Sequence, residues 1–179
     1  MIYFLSIVAL AVLSLAIHEA GHWAVLRRAN IPLAKASLGM GPLLWSRGLF
    51  EVRLFWVGAS VTPEARAFEA AAPGVRMLAA LGGPWFSAMY ASLLGFCAAH
   101  LDGPGSEALA AMAHFNWMLA ATNLVPLPPL DGWHVLMAAA EKAGHRPGPF
   151  AHEILTRLGS GVLHALVVYA VMRSFGALP

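Results

Sequence analysis

The sequence predicts an all-α polytopic membrane protein of about four transmembrane helices, with a small β-hairpin or sheet between the first two, in a single domain over residues 1–179. Three observations predict it. First, only 11% of the residues are charged and 59% are hydrophobic, with a mean hydropathy of +0.68, whereas a soluble domain carries roughly 25% charged residues. Second, four stretches approach the length that crosses a bilayer, about 20 mostly apolar residues. Third, the region between the first two stretches changes texture to glycine and β-formers.

The first stretch is 2–26. It has no basic leader and its apolar run is too long for the core of a cleaved signal, so it is read as an uncleaved helix. Region 35–61 follows. Phe50, Val52, Leu54 and Trp56 alternate there with Leu49, Glu51, Arg53 and Phe55, and Ser46-Arg47-Gly48 suits a turn. Pro63–Pro73 reads as a short amphipathic or irregular connector. The second stretch is 75–99, whose Gly82, Gly83, Ala88, Ala91 and Gly95 suit close helix packing. The third is 108–125, ended by Pro126, Pro128 and Pro129, which cannot continue a regular helix. The fourth, 158–175, is the weakest, with Gly159, Ser160, Gly161 and His164 inside it.

Charge sets orientation and excludes some functions. Arg27, Arg28, Lys35, Arg47, Arg53, Arg66 and Arg76 lie between the first two stretches, and Lys142, Arg146 and Arg157 between the last two. The link between the second and third has no Lys or Arg. The positive-inside rule then puts both basic loops in the cytoplasm and both termini outside. A net charge of +2 with no dense basic patch gives no nucleic-acid partner. Cys97 is the one cysteine, so no disulfide within the chain and no cysteine metal site is expected.

The chemistry sits in the first stretch. His18-Glu19-Ala20-Gly21-His22 is H-E-x-x-H on an expected helix, which stacks the two histidines one turn apart on one face. Two imidazoles so placed can bind one Zn²⁺, with the glutamate in reach of water at the metal. Histidines satisfied by hydrogen bonds inside a helix bundle are the bland alternative. Glu19 argues against it, because a carboxylate at bilayer depth costs about 2.5–3.5 kcal/mol. Structural zinc sites release roughly 10–16 kcal/mol, enough to offset that. A third protein ligand is needed, and Asp131, just past the proline break, is the best placed of the few acids. His18, His22 and Asp131 then fall at the same cytoplasmic end of their stretches.

Together, His18–His22 and Asn123-Leu124-Val125-Pro126-Leu127-Pro128-Pro129-Leu130-Asp131-Gly132 resemble the paired signatures of the site-2 protease family of intramembrane zinc metalloproteases. Gly39-Met40-Gly41-Pro42 and the strands after it resemble that family's membrane-associated β-hairpin. Gly83-Pro84-Trp85-Phe86-Ser87 resembles its central-helix motif, with Ser87 where asparagine is common. The chain has no room for the PDZ or CBS domains of many members and resembles a minimal catalytic core. The resemblance implies one Zn²⁺ per chain on His18, His22 and Asp131, and Glu19 as general base. It further implies Asn123 in substrate or oxyanion binding, and His134 as a hydrogen-bonding support behind Asp131.

The implied function is hydrolysis of peptide bonds in or near transmembrane segments of membrane proteins or remnant signal peptides, as in regulated intramembrane proteolysis. The implied setting is the bilayer of a bacterial cytoplasmic membrane. The implied partners are a transmembrane protein substrate and a separate regulatory or adaptor protein. Two other readings stay open. One is a catalytically silent relative that binds membrane helices; the other is a metal-ion transporter. Intact Glu19 and Asp131 speak against the first, and the lack of acids along the other stretches against the second.

Overall fold

The computed structural model describes residues 2–145 and 148–174. Along the chain run α1 (Ile2–Arg28), β1 (Leu33–Arg47), β2 (Phe50–Pro63), α2 (Ala65–Ala70), α3 (Pro73–Ala99), α4 (Pro104–Asn123), α5 (Asp131–Lys142) and α6 (Pro149–Ser174). Arg146 and Phe175, which the sequence reading placed in a basic loop and at the end of the fourth stretch, lie outside the described residues.

Of the described helices, two are long and apolar enough to cross a bilayer, α1 over Ala9–Arg28 and α3 over Pro73–Ala99. Two of the expected four spans are therefore clear among the described residues. The third stretch is helical, but His114, Asn116, Thr122 and Asn123 dilute it in α4, and the fourth lies in α6 as far as Ser174.

α3 is the central element, packed against α1, α4 and α5. Its inner face carries small residues, with Ala79, Ala80, Gly82, Gly83, Ser87, Ala91 and Ala98 buried. Its outer face carries large apolar ones: Leu78, Trp85, Met89, Leu93 and Phe96 are exposed, Trp85 by 66%. Small inside and large outside is the distribution that lipid selects, because helix association there depends on close backbone approach. At the α1–α3 crossing, Gly21 and Gly82 touch through their backbones, and a Cβ on Gly82 would lie 2.5 Å from the Gly21 carbonyl oxygen. Toward the opposite end of α1, buried Asn116 of α4 donates Nδ2–H to Ser14 Oγ at 2.9 Å and to the Met112 carbonyl at 2.8 Å. That interhelical polar bond ties α4 to α1.

The β region is more involved than a plain hairpin. β1 and β2 are joined at Gly48-Leu49, and pairs such as Arg47↔Phe50 and Trp45↔Val52 form the hairpin proper. Positive φ at Gly39 and Gly41 (85° and 84°) and at Gly58 (91°) kinks each strand part-way, a conformation glycine adopts without steric cost. The kinks let residues 36–38 take two neighbours. They run antiparallel to 59–61 (Ala36↔Val61, Leu38↔Ala59) and parallel to 50–52 (Ala36↔Phe50, Leu38↔Val52). Two long strands thus make a small mixed sheet of four segments, with 59–61 on one outer edge.

The connector is tied down at α2, whose start is capped by Glu64; its carboxylate accepts from Arg66 N–H and Ala67 N–H. Leu26, Ile31 and Ala79 form a buried cluster beneath this corner, joined by Val61, Phe68 and Val75. That cluster fixes the end of α1 and the start of α3 against strand β2.

Candidate metal centre and active site

His18 and His22 lie on one face of α1, their ring centroids 5.0 Å apart and nearly perpendicular. Helical spacing accounts for that proximity. Asp131 arrives from the far side of the chain as the first residue of α5. The break that the prolines impose on α4 ends at Leu130. A tight turn over 124–130, with a cis Pro128–Pro129 bond, leads straight into the helix. Gly132 permits the turn, since a Cβ there would lie 2.5 Å from the Val125 carbonyl oxygen.

The three donor atoms meet closely. His18 Nε2 lies 3.1 Å from Asp131 Oδ2, His22 Nε2 lies 3.3 Å from the same oxygen, and the two Nε2 atoms are 3.3 Å apart. Ligand atoms about 2.0–2.1 Å from a tetrahedral zinc are about 3.3–3.4 Å from one another. The triangle therefore has the size of one face of a zinc coordination tetrahedron. The other ring nitrogens are engaged elsewhere. His22 Nδ1–H donates to the Ala79 carbonyl at 2.7 Å, which leaves Nε2 as an acceptor. His18 Nδ1 is hydrogen-bonded to Ser87 Oγ at 2.9 Å. An imidazole lone pair facing a carboxylate at this range calls for a cation between them, and the donor set of two nitrogens and one oxygen suits zinc. Gly83 supplies the space. A Cβ there would collide with His22 Nε2 and lie 2.6 Å from His18 Nε2. The residues present fit the ion.

Glu19 lies on the side of α1 toward the sheet. Its Oε2 accepts from the Val61 backbone N–H at 2.8 Å. Val61 belongs to the outer edge segment of β2, so that N–H points away from β1 toward the site. A cavity of about 400 Å³ joins these groups, lined by His18, Glu19, His22, Asp131, the edge residues Ala59–Val61, Asn123 and His134. Asn123 ends α4 and donates Nδ2–H back to the Leu119 carbonyl at 2.9 Å. His134 is exposed, three residues past Asp131 in α5.

A model of peptidase family M50 matches residues 5–105 and 99–166. The chain belongs to peptidase family M50, the site-2 protease family. Among solved structures it is similar to the site-2 protease from Methanocaldococcus jannaschii, with 18% identity and a TM-score of 0.57 over 94% of this chain and 67% of that one. At that identity the likeness is one of fold. No curated protein sequence matches it. M50 is a family of zinc metalloproteases embedded in membranes, so the chain is in general terms an intramembrane metalloprotease.

Three features of this M50 site were not read from the sequence. Ser87 had no assigned role, and its partner His18 is 69 positions away. Gly83 was read as a helix-packing position, whereas it faces the imidazoles. The Val61 N–H is a backbone group and leaves no trace in residue identity. The one available signal was the Gly82-Gly83 pair in a long helix, which marks unusually close approach.

Proposed function

We propose that this M50 member is a zinc endopeptidase that cuts peptide bonds within or near transmembrane segments, in regulated intramembrane proteolysis. The observation that carries this reading is the triangle of His18 Nε2, His22 Nε2 and Asp131 Oδ2 at 3.1–3.3 Å, with a carboxylate one residue away in the same cavity. Zinc held by His18, His22 and Asp131 would act as a Lewis acid on the scissile carbonyl and lower the pKa of a water. Glu19 is the general base and then returns the proton to the leaving amine. The Val61 N–H holds the Glu19 carboxylate in place for that task. Asn123 and His134, on the cavity wall, are assigned to the substrate and to the support of Asp131 respectively.

A transmembrane substrate must be unwound before its carbonyls are open to attack. The outer edge of β2 at Ala59–Val61 borders the cavity and suits pairing with an extended segment. A second cavity of about 810 Å³, lined by Trp23, Trp45, Phe50 and Val52, reaches the same edge and Glu19 from the other side, which supports an apolar substrate. The hairpin tip is itself apolar, with Leu43, Leu44, Trp45, Leu49 and Phe50 exposed, in keeping with contact with lipid. The basic loops favour four spans, both termini outside, and a site near the cytoplasmic face of a bacterial cytoplasmic membrane. A separate adaptor protein completes the proposed set of partners.

The test combines metal content with cleavage. Purified protein in detergent should carry about one zinc, as three-ligand sites do, and should cut a single-span substrate in vesicles. Glu19→Gln should keep the zinc and abolish cleavage; a variant that still cuts would remove Glu19 from its role. In cells, the Glu19→Gln form should let uncut membrane proteins accumulate, which identifies the substrate.

A further inference from the structure

The two histidines are oriented by α3, through Ser87 and the Ala79 carbonyl. Asp131 comes from a different helix, and a different tie to α3 sets its position. At the far end of α5, Glu141 Oε1 lies 2.6 Å from an Arg76 guanidinium nitrogen at the start of α3. The pair is largely buried, the arginine side chain 14% and the glutamate 22% exposed. It is therefore not the solvated surface pair whose energetic value is small.

The geometry makes this ion pair a length gauge. α3 rises from Arg76 to Gly83, the residue facing both Nε2 atoms, over about 10 Å at 1.5 Å per residue. α5 runs the opposite way from Asp131 to Glu141 over about 15 Å by the same rise, and the long arginine side chain spans the difference. α5 thus runs antiparallel to α3, tied to it by this ion pair at one end and, at the other, facing the α1 imidazoles that abut Gly83. A slip of one residue along α5 would move the Asp131 carboxylate by about 1.5 Å and rotate it by about 100°, whereas metal–ligand distances tolerate only about 0.2 Å. The turn over 124–130 supplies the chain direction, and the distal ion pair supplies rotation and register.

We propose that Arg76 and Glu141 are positioning residues that set the third metal ligand by fixing the register of α5 on α3. The inference rests on the zinc reading above, and the experiment separates the two. Zinc affinity is measured by competition with a fluorescent zinc chelator on detergent-solubilised full-length protein. Asp131→Ala, Glu141→Gln, Arg76→Met and the Arg76→Met/Glu141→Gln double variant are compared, and Co²⁺-substituted samples report the coordination shell by their visible d–d bands.

Glu141→Gln and Arg76→Met should each weaken zinc about 10-fold or more, as loss of groups behind a metal ligand does. The double variant should be no weaker than either single one. The Co²⁺ bands of both single variants should shift toward those of Asp131→Ala, a change that a merely structural role would not produce in folded protein. Wild-type affinity and bands in Glu141→Gln, alongside weakened binding in Asp131→Ala, would overturn this inference and leave the zinc reading intact. Additive losses in the double variant would also overturn it. A wild-type protein that binds no zinc would overturn both.

Discussion

Gly83→Ala tests the site with a single methyl group. The added Cβ would stand 2.6 Å from His18 Nε2 and nearer still to His22 Nε2, against an ordinary contact of 3.4–4 Å. Each imidazole would have to retreat by about 1 Å. Neither is free to do so, because His18 Nδ1 is bonded to Ser87 at 2.9 Å and His22 Nδ1 to Ala79 at 2.7 Å. Since metal–ligand distances tolerate about 0.2 Å, the expected loss in zinc affinity is about 10–100-fold. At about 1.36 kcal/mol per factor of ten, that is about 1.4–2.7 kcal/mol. Intrinsic helix propensity runs the other way, favouring alanine by about 1 kcal/mol, so secondary structure should be kept while metal is lost. The assay is chelator competition with circular dichroism on the same samples. Gly95→Ala is the control, because its Cβ would meet Ala113 at 3.9 Å; it should bind zinc as wild type does. Gly83→Ala with wild-type zinc affinity would refute the reasoning.

Ser87→Ala should weaken zinc about 10-fold by releasing His18, with little change in cleavage once zinc is saturating; chelator competition and a zinc titration of activity check this. Gly21→Ala would drive a methyl into the Gly82 carbonyl and to 2.9 Å from Phe86 Cβ, so α1 and α3 must part. Overpacking of that kind costs about 1–3 kcal/mol, to be read as a lower midpoint in denaturant. In the sheet, hydrogen bonds from Lys35 and then Arg53 hold the Glu51 carboxyl below its ordinary 4.5. Its stabilising contribution is therefore complete above that value and fades as pH falls through the lower, folded-state value. Amide exchange in residues 36–38, corrected for the intrinsic rate, should keep its protection from pH 7 to about 5 and lose some below about 4.5, with the loss absent in Glu51→Gln.

The parts legible in the sequence are those fixed by local periodicity. His18 and His22 share a face because they are four apart on a helix, and the Gly48 turn follows from its flanking β-formers. Asp131 was reachable by a longer argument, through the proline run and the count of membrane crossings. α5 was not, because its twelve residues follow so many prolines that the regular helix from Asp131 onward was hidden. The parallel pairing of 36–38 with 50–52 was equally hidden, since it depends on two kinks acting together. The distal tie between Arg76 and Glu141 joins residues 65 positions apart, and nothing local distinguishes either from a solvated charge.

Every buried polar group in the site is matched by a different part of the fold, and this bears on what the sheet is for. His18 and His22 are each met by α3, and Asp131 faces both imidazoles across the space that suits the ion. Glu19 is met by the backbone of β2. A strand edge in apolar surroundings has an unpaired N–H, and a lone carboxylate there is costlier still. Val61 and Glu19 remove both costs with one bond. The sheet is therefore tied to the helical core at the residue assigned as the base, not merely laid over it. A change that pulled the 59–61 edge away from α1 would leave zinc ligation untouched and Glu19 unheld, so metal content and turnover should separate in any variant that loosens the sheet.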